Sequence, residues 1–366
     1  MNAPRILIVR LSAIGDVVHV LPALAALRRA LPEAHIAWIA ESLSAQLLEG
    51  HPLLDELIVY PRSRWRKRGY IRSMPGDMRR FFAEMRRRGF DTAIDFQGLT
   101  KSALIAWMSR IPRRIGYGDE DGREVSRWFY TDRVQPPPER EHVVQRNLAL
   151  LAPLGIDASE ETFPMPDFSA ERTMIDGALA ERGIGPDEPV AMMNPGAGWE
   201  TKRWPPAYYG RLASMIARGF GWPVLLTWGP GEERLVAEAL EAVDPAGQGR
   251  VHHAPATNLR EFTALLDRCR LAVGGDTGPI HLAAARGVPV VCVYGGSDPL
   301  RNSPRGDSPI HVIVNPHCDC HPCWQVTCSE DRPRCLLDIK PEAVYGGIEE
   351  VLATPAAQKK SGEHRD

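Results

Sequence analysis

The sequence predicts an α/β protein built from two doubly wound parallel sheets, and three observations lead there. Short apolar runs alternate with helical patterns from Arg5 to about Leu104. The same alternation restarts near Pro189 and continues to Tyr294. Between them, from Gly155 to about Asp187, lies a stretch with little strand pattern. At 366 residues the chain is long enough for two domains with their own cores.

Arg5 to Arg10 (RILIVR) is a near-continuous apolar run, the pattern of a parallel strand buried on both faces. The turn Leu11-Ser12-Ala13-Ile14-Gly15-Asp16 leads into a helix predicted from Val17 to Ala30, with Pro22 near its first turns. His35 to Ala40 reads as a strand, Ser42 to Glu49 as a helix, and Glu56 to Tyr60 as a third strand. A basic loop and a helix ending at Gly89 precede the strand Thr92 to Phe96, and Gln97-Gly98-Leu99-Thr100-Lys101-Ser102 opens another helix. Pro136-Pro137-Pro138 interrupts the pattern before a helix from His142 to Leu151. In the second half, the strand Pro189 to Met193 ends in the turn Asn194-Pro195-Gly196-Ala197-Gly198, and a helix begins near Pro205. Trp222 to Trp228 is a strand, Glu232 to Val243 and Leu259 to Arg268 are helices, and Arg270 to Val273 and Val288 to Tyr294 are strands. A last helix, Pro341 to Leu352, leads to a charged tail from Gln358. The predicted division is an N-terminal Rossmann-like domain over 1–165, a linker over 166–187, a second Rossmann-like domain over 188–340, and a C-terminal helix and tail over 341–366.

A hydrophobic content of 44% and a charged content of 25% are those of a soluble globular protein. A net charge of −2 gives no general reason to expect nucleic acid. No apolar run approaches the roughly 20 residues that span a bilayer. The chain enters a strand almost at once, so no signal peptide and a cytoplasmic location are expected. Charge is uneven, however: Arg62 to Arg88 holds eleven Arg and Lys against two acids, Asp77 and Glu84. A solvated helix face accounts for Arg79, Arg80 and Arg86 to Arg88. Arg64-Trp65-Arg66-Lys67-Arg68, read as a loop, points instead to an anionic partner or a membrane surface.

Cysteine use is lopsided. Cys269 and Cys292 sit among apolar residues as packed thiols, while Cys318, Cys320, Cys323, Cys328 and Cys335 crowd together. In a cytoplasmic protein such crowding suggests metal or redox chemistry before disulfides. A structural zinc is one alternative, although the paired C-x2-C spacing occurs once, at Cys320 and Cys323.

The motif Gly274-Gly275-Asp276-Thr277-Gly278-Pro279-Ile280-His281 follows an apolar run and precedes a small-residue run, so it reads as strand, tight turn, helix start. Its glycines let a ligand approach the main chain. Asp276 or Thr277 can cap the helix, and the first amide N–H groups suit a diphosphate. Asp276 as a cap alone is the plainer alternative. Ligands of such sheets bind at the carboxyl ends of strands, so two halves facing each other predict a cleft with Asp16 on one lip and Asp276 on the other. Neither half carries G-x-G-x-x-G, which argues against an NAD-dependent dehydrogenase.

Three stretches together resemble the ADP-heptose:lipopolysaccharide heptosyltransferases of glycosyltransferase family 9. They are IGDVVH (Ile14 to His19), TKRWP (Thr201 to Pro205) and GGDTGPIHLAAARGVPVV (Gly274 to Val291), in that order across most of the chain. SRWRK (Ser63 to Lys67), DFQGLTKSAL (Asp95 to Leu104), GREVSRWFYTDR (Gly122 to Arg133) and WGPGEE (Trp228 to Glu233) are similar to the heptosyltransferase I branch, which adds the first heptose to Kdo. The cysteine-rich segment departs from that branch and looks more like heptosyltransferase II, which leaves the acceptor open between Kdo and a heptose. The resemblance implies a GT-B fold, and an inverting transfer with ADP-heptose as substrate and no catalytic metal or other cofactor.

By that resemblance Asp16 is the general base for the acceptor hydroxyl, at a strand-to-helix turn where the dipole favours a negative charge. His19, one turn on, is a supporting contact or a packed ring. Lys202 matches the lysine of K-x-W-P and is the candidate for the donor phosphates, with the amides of Thr277 and Gly278 completing the nest. Asp276 is assigned to the donor's sugar hydroxyls. His281 is either its neighbour in that task or a satisfied helix histidine. Asn194 and Gly196 face the phosphates or sugar, and Glu232 or Glu233 accepts from the ribose. Arg64, Arg66, Lys67 and Arg123, with Lys101 as a further candidate, suit an acidic lipid-linked sugar acceptor. The basic stretch is also expected to hold the protein on the anionic cytoplasmic face of the inner membrane, with Trp65 against a sugar or the headgroups. A non-catalytic nucleotide-sugar-binding protein is the competing expectation from another class.

Overall fold

A computed structural model describes residues 3–65, 74–118, 124–139, 141–329, 333–355 and 357. The chain divides into two compact units, Met1–Asp167 and Phe168–Asp366.

The first unit holds β1 (Arg5–Val9), α1 (Ile14–Val18), α2 (Leu21–Ala30), β2 (His35–Glu41), α3 (Ser42–Ala45), β3 (Glu56–Tyr60), α4 (Arg62–Trp65) and α5 (Met74–Arg87). It continues with β4 (Thr92–Asp95), α6 (Thr100–Met108), β5 (Arg113–Tyr117), β6 (Asp132–Val134) and α7 (Val143–Ala149). The six strands form one parallel sheet in the order β3-β2-β1-β4-β5-β6. β1 lies near the middle, with Ile6 opposite Ile36 on one side and Thr92 on the other. Its RILIV sequence lets it serve there, since Ile6 to Val9 are all buried and no polar side chain has to be satisfied. Leu7, Val9, Ala37, Ile39, Ala93, Phe90 and Ile105 build the core on one face.

The second unit holds α8 (Ser169–Ala180), β7 (Val190–Asn194), α9 (Pro206–Gly219), β8 (Val224–Leu226), α10 (Glu233–Glu241), β9 (Val251–His253) and α11 (Leu259–Leu266). β10 (Cys269–Gly275), α12 (Gly278–Ala285), β11 (Val290–Tyr294), α13 (Pro299–Asn302), β12 (Ile310–Val314), α14 (Arg334–Leu337) and α15 (Pro341–Ala353) follow. Its parallel sheet runs β12-β11-β10-β7-β8-β9. Counted from its own first strand, that is the same winding as in the first unit. Each sheet therefore reverses its strand order once, between β1 and β4 and between β7 and β10, and there the carboxyl ends open a crevice for a ligand.

Three expectations are corrected. The helix expected over Val17 to Ala30 is two helices that break at His19 and Val20, because Pro22 enters α2 near its start, where its missing N–H costs no hydrogen bond. The stretch 166–187 is not a bare linker: α8 fills much of it, burying Ile175 and Leu179, and belongs to the second unit. Phe168, buried under the guanidinium groups of Arg260 and Arg286 at 5.0 and 5.6 Å, pins its start there. Ser63 to Trp65 are not loop but part of the single helical turn α4. β5, β6, β9 and β12 extend the sheets beyond the predicted strands.

Candidate functional site

In the first unit the site residues gather beyond β1 and β4. Asp16 is the third residue of α1, and its Oδ2 accepts the Ala13 amide at 3.1 Å, closing the turn that follows β1. The same oxygen pairs with Nη2 of Arg10. Arg10 ends the β1 run and is buried, with Nη1 donating to the carbonyl of Phe96 at 2.5 Å. Both of these Asp16 contacts fall on Oδ2 and leave Oδ1 outside them, and the Asp16 side chain is 42% exposed. The carboxylate is thus held by one oxygen and presents the other. His19 is the packed ring of the two alternatives: it is buried and meets His142 edge-on at 5.8 Å.

The neighbouring turn is organised by Asp95. Its buried carboxylate accepts from Tyr130 at 2.7 Å, Ser102 at 2.8 Å, and the amides of Gln97 and Gly98 at 2.9 and 3.2 Å. Burial pushes this carboxyl up, against the pull of those hydrogen bonds. Gln97 in turn accepts the Leu11 amide at 2.8 Å, which locks this turn to that of Asp16. Lys101 reaches Glu41 at 3.6 Å, and Arg62 reaches the same carboxylate at 2.8 Å, so two cations share one anion. Trp65 lines a cavity of about 250 Å³ with Pro61, Asp77, Arg80, Phe81 and Glu84. It packs edge-on against Tyr60 and Phe81 at 5.2 and 5.7 Å, because an aromatic cluster between α4 and α5 takes up its ring. The Arg64 side chain, and Arg66, Lys67 and Arg123, lie outside the described residues.

In the second unit the site is built on one buried carboxylate. Asp276 Oδ2 accepts from Lys202 Nζ and from Ser297 Oγ, both at 2.6 Å, and Oδ1 lies 2.9 Å from Nε2 of His281. Burial by itself would raise this carboxyl. The hydrogen bond and charge of His281, and then those of Lys202, outweigh it and hold Asp276 well below the usual carboxylate range. An ionised Asp276 has no proton to give, so Nε2 of His281 carries the hydrogen between them. Asp276 is therefore not the cap of α12. Thr277 occupies that position without a side-chain cap, its hydroxyl donating to Gly275 at 3.4 Å. The helix opens with the amides of Thr277 and Gly278, and Pro279 has none to add.

Lys202 arrives 74 residues away in sequence because its loop is anchored by its own motif. The Trp204 indole is fully buried, donates to Ile339 at 2.9 Å and meets Tyr209 edge-on at 4.9 Å. With that anchor fixed, the Lys202 ammonium sits 4.6 Å above the Trp199 ring as well as on Asp276. Gly275 is needed for the approach: a Cβ there would come within 2.5 Å of the Lys202 carbonyl oxygen.

The Asn194 amide group is engaged with Thr227, at 3.2 and 3.3 Å. Gly196 lies directly against the Glu232 carboxylate, which also accepts the Gly229 amide at 2.9 Å. Glu232 is thus drawn inward, whereas Glu233 lines a cavity of about 220 Å³ with Trp228, Gly229, Pro230 and Ala254 to Thr257.

Sequence reasoning missed Arg10, Glu41, Ser297 and the role of the cysteine-rich segment. Trp324 donates its amide to Gly296 at 2.8 Å, His321 bonds the Gly295 carbonyl, and Glu200 and Thr201 donate amides to Val326 at 2.9 and 3.4 Å. This segment therefore braces the loops that carry Lys202 and Ser297. Cys318 and Cys320 thiols lie 3.4 Å apart, and their hydrogen bond, with burial and the nearby thiols, pushes Cys320 up to about 11. Among the described residues no group of three or more His, Cys, Asp or Glu side chains is placed to hold a metal ion. Among them, too, no helix is long and apolar enough to cross a membrane.

Two parallel Rossmann-like sheets, one with a carboxylate beyond its first strand and the other with a buried lysine–carboxylate pair, have the two-sheet architecture of the GT-B class. Residues 78–333 match Glycosyltransferase family 9 (heptosyltransferase), and the chain belongs to that family. It is 31% identical to lipopolysaccharide heptosyltransferase 1 of Pseudomonas aeruginosa, over 96% of this chain and 99% of that one. Among solved structures it resembles the E. coli heptosyltransferase WaaC with ADP-2-deoxy-2-fluoro heptose, with a TM-score of 0.72 and 25% identity, covering 94% of this chain and 99% of that one. The fold is shared with a family 9 glycosyltransferase of Veillonella parvula, with a TM-score of 0.80 and 23% identity, covering 96% and 98%.

Proposed function

We propose that this enzyme transfers L-glycero-D-manno-heptose from ADP-heptose to Kdo of the lipopolysaccharide inner core, with inversion and without a metal ion. The observation that carries this reading is the Lys202–Asp276 pair at 2.6 Å, a cation held in place at the carboxyl edge of a nucleotide-type sheet. An ADP leaving group needs such a cation, and a relative solved with an ADP-heptose analogue supports the choice of donor.

The chemistry divides between the units. Oδ1 of Asp16 takes the proton of the acceptor hydroxyl, whose oxygen forms a bond to the anomeric carbon of the heptose. The bond from that carbon to the diphosphate oxygen breaks, and its electron pair leaves with ADP. Arg10, bound to Oδ2, keeps Oδ1 aimed outward. The growing charge on ADP is met by Lys202 and by the amides of Thr277 and Gly278, while Asp276, fixed by Ser297 and His281, orients the lysine and accepts from the sugar hydroxyls. The adenosine is assigned to the cavity of Trp228 and Glu233, with the apolar residues of that loop under the base.

On the acceptor side, Lys101 and Arg62 on Glu41 leave an excess positive charge for a carboxylate or phosphate. Arg64, Arg66, Lys67 and Arg123 are assigned the same acidic, lipid-linked partner at the cytoplasmic face of the inner membrane. A second reading, an acceptor that already carries heptose, is favoured by the cysteine-rich segment.

The test follows ADP-heptose consumption with Kdo2-lipid A and with a heptosylated acceptor in parallel, each with and without EDTA. Turnover on Kdo2-lipid A that persists in EDTA is expected. Turnover on the heptosylated acceptor alone establishes the second reading. Loss of activity in EDTA with the fold intact overturns the metal-free mechanism.

A further inference from the structure

We propose that Asp95 is a positioning residue for the transfer: it clamps the turn after β4, so that Phe96 holds Arg10, and Arg10 holds Asp16, in a working orientation. The inference rests on the reading of Asp16 as the general base. It extends the machinery to a carboxylate that is 1% exposed and meets no substrate.

The link begins in the sheet. β1 and β4 pair with Val9 opposite Asp95, so Arg10 and Phe96 leave the strand ends side by side. There the Phe96 amide donates to Val9 at 3.1 Å, and the Phe96 carbonyl accepts from Arg10 Nη1 at 2.5 Å. Gln97 Oε1 accepts the Leu11 amide at 2.8 Å, and the buried Trp38 indole donates to the Arg10 carbonyl at 3.0 Å. Arg10 is itself buried, and its other terminal nitrogen reaches Oδ2 of Asp16. Where that nitrogen points is set by where the Phe96 carbonyl points.

Asp95 fixes that carbonyl. Its Oδ1 accepts the Gln97 amide at 2.9 Å and the Gly98 amide at 3.2 Å. The Gln97 N–H and the Phe96 carbonyl belong to one planar trans peptide, so holding the N–H on one side aims the oxygen to the other. Oδ2 accepts from Ser102 on α6 at 2.8 Å and from Tyr130 at 2.7 Å, which anchors the carboxylate to two further segments. Tyr130 gets there across Gly116 of β5, where a Cβ would come within 2.4 Å of its ring. Burying a carboxylate is costly, and among the described residues its partners are two amides and two hydroxyls, none of them a cation. An apolar side chain would fill the same space at less cost, but it would leave the peptide after Phe96 free to turn.

The consequence falls on the base. Asp16 is tied through Oδ2 to the Arg10 guanidinium and the Ala13 amide. Once Arg10 is released from Phe96, its guanidinium rotates and Asp16 loses one of those two ties. A misplacement of about 1 Å costs about 100-fold in rate. Lys202 and Asp276, in the second unit, share none of these contacts, so the donor's phosphate site stays as it is.

The experiment measures steady-state and single-turnover kinetics of the full chain, with ADP-heptose and whichever of the two acceptors wild type turns over. Asp95→Asn and Tyr130→Phe are each made alone and combined with Asp16→Asn, beside wild type and Asp16→Asn. Circular dichroism checks the fold, and ADP calorimetry checks the second unit. Asp95→Asn sets an amide nitrogen, a donor, among the donors that the carboxylate accepts. It is expected to lower kcat about tenfold or more, with acceptor KM and ADP affinity within about twofold of wild type. In the Asp16→Asn background the same change should alter turnover by less than about twofold, because no base is left to aim. Tyr130→Phe should act in the same way and by less, and it is read in place of Asp95→Asn should that variant misfold. A folded variant with the kcat of wild type, beside an impaired Asp16→Asn, overturns this inference alone. An equal loss in both backgrounds makes Asp95 a structural residue and overturns it as well. Asp16→Asn that turns over like wild type sinks the reading of the base and this inference together.

Discussion

The guanidinium of Arg10 and the amide of Ala13 both bind Oδ2 of Asp16, and Oδ1 is the oxygen left to act. Asp16→Asn preserves this geometry and removes the proposed base. Turnover is expected to fall about 10² to 10⁴-fold with donor affinity unchanged, measured by steady-state kinetics and ADP calorimetry. Unchanged turnover would strip Asp16 of its role. Arg10→Lys keeps a cation but not the link from Phe96 to Asp16, so it should lower kcat more than it raises either KM.

Lys202→Ala leaves Asp276 buried with Ser297 and His281 as its remaining partners. Losing the charge-assisted bond proposed between Lys202 and the diphosphate should weaken ADP about tenfold or more. Breaking a buried pair costs about 3–5 kcal/mol when nothing replaces it, an upper bound here. Asp276 is held below the ordinary carboxylate range, so its contribution to stability is complete above that range and drains away as pH falls through and below it. The variant should therefore unfold at lower urea at pH 7 and show less acid sensitivity than wild type. Equal ADP affinity in the two forms would dismiss Lys202 as the phosphate ligand.

Glu232 and Glu233 separate by environment. Glu233 lines the cavity assigned to adenosine, while Glu232 holds the Gly229 amide. Glu233→Gln is expected to weaken ADP relative to ADP-free stability changes, and Glu232→Gln to lower the melting temperature first. The reverse pattern would move the ribose contact to Glu232.

Replacing Arg64 and Arg66 together by Ala should raise the KM for the lipid-linked acceptor and leave ADP affinity alone. A matching change in both constants would make that stretch structural rather than an acceptor contact.

His51 gives a pH dependence of the opposite end of the first unit. It is buried, with Nε2 3.0 Å from the Pro164 carbonyl and Nδ1 accepting the Leu53 amide at 3.2 Å, so it must stay neutral with its hydrogen on Nε2. Burial pulls its pKa down, outweighing the Pro164 bond. Below the ordinary histidine value, about 6.5, the unfolded chain takes a proton that folded His51 refuses, and stability falls with pH until the folded value is reached. Urea midpoints between pH 8 and pH 5 should fall more steeply for wild type than for His51→Gln. Parallel curves would remove His51 as a source of the slope.

The sequence made the central strands legible because each is buried on both faces and must be apolar along its buried length, as ILIV of β1 and VVCV of β11 are. It hid β6 and β9, three residues each, because a short edge strand such as DRV or VHH is defined by its neighbour's hydrogen bonds rather than by its own pattern. It also hid α8, where Ile175 and Leu179 are the buried residues. At the site, the turns after β1 and β10 could be read because glycines and an acid at a strand-to-helix junction have a local reason to be there.

What the sequence determined by itself, then, was local: two doubly wound sheets, the turns at their strand ends, and Asp16, Lys202 and Asp276 as the residues to watch. What those side chains touch was decided by the tertiary structure. Lys202 and Ser297 meet Asp276 across 74 and 21 residues, and Phe96 reaches Arg10 across 86. Separations of that size leave no periodic trace in a chain, since the partners are brought together only when parallel strands pair and bury what lies between them.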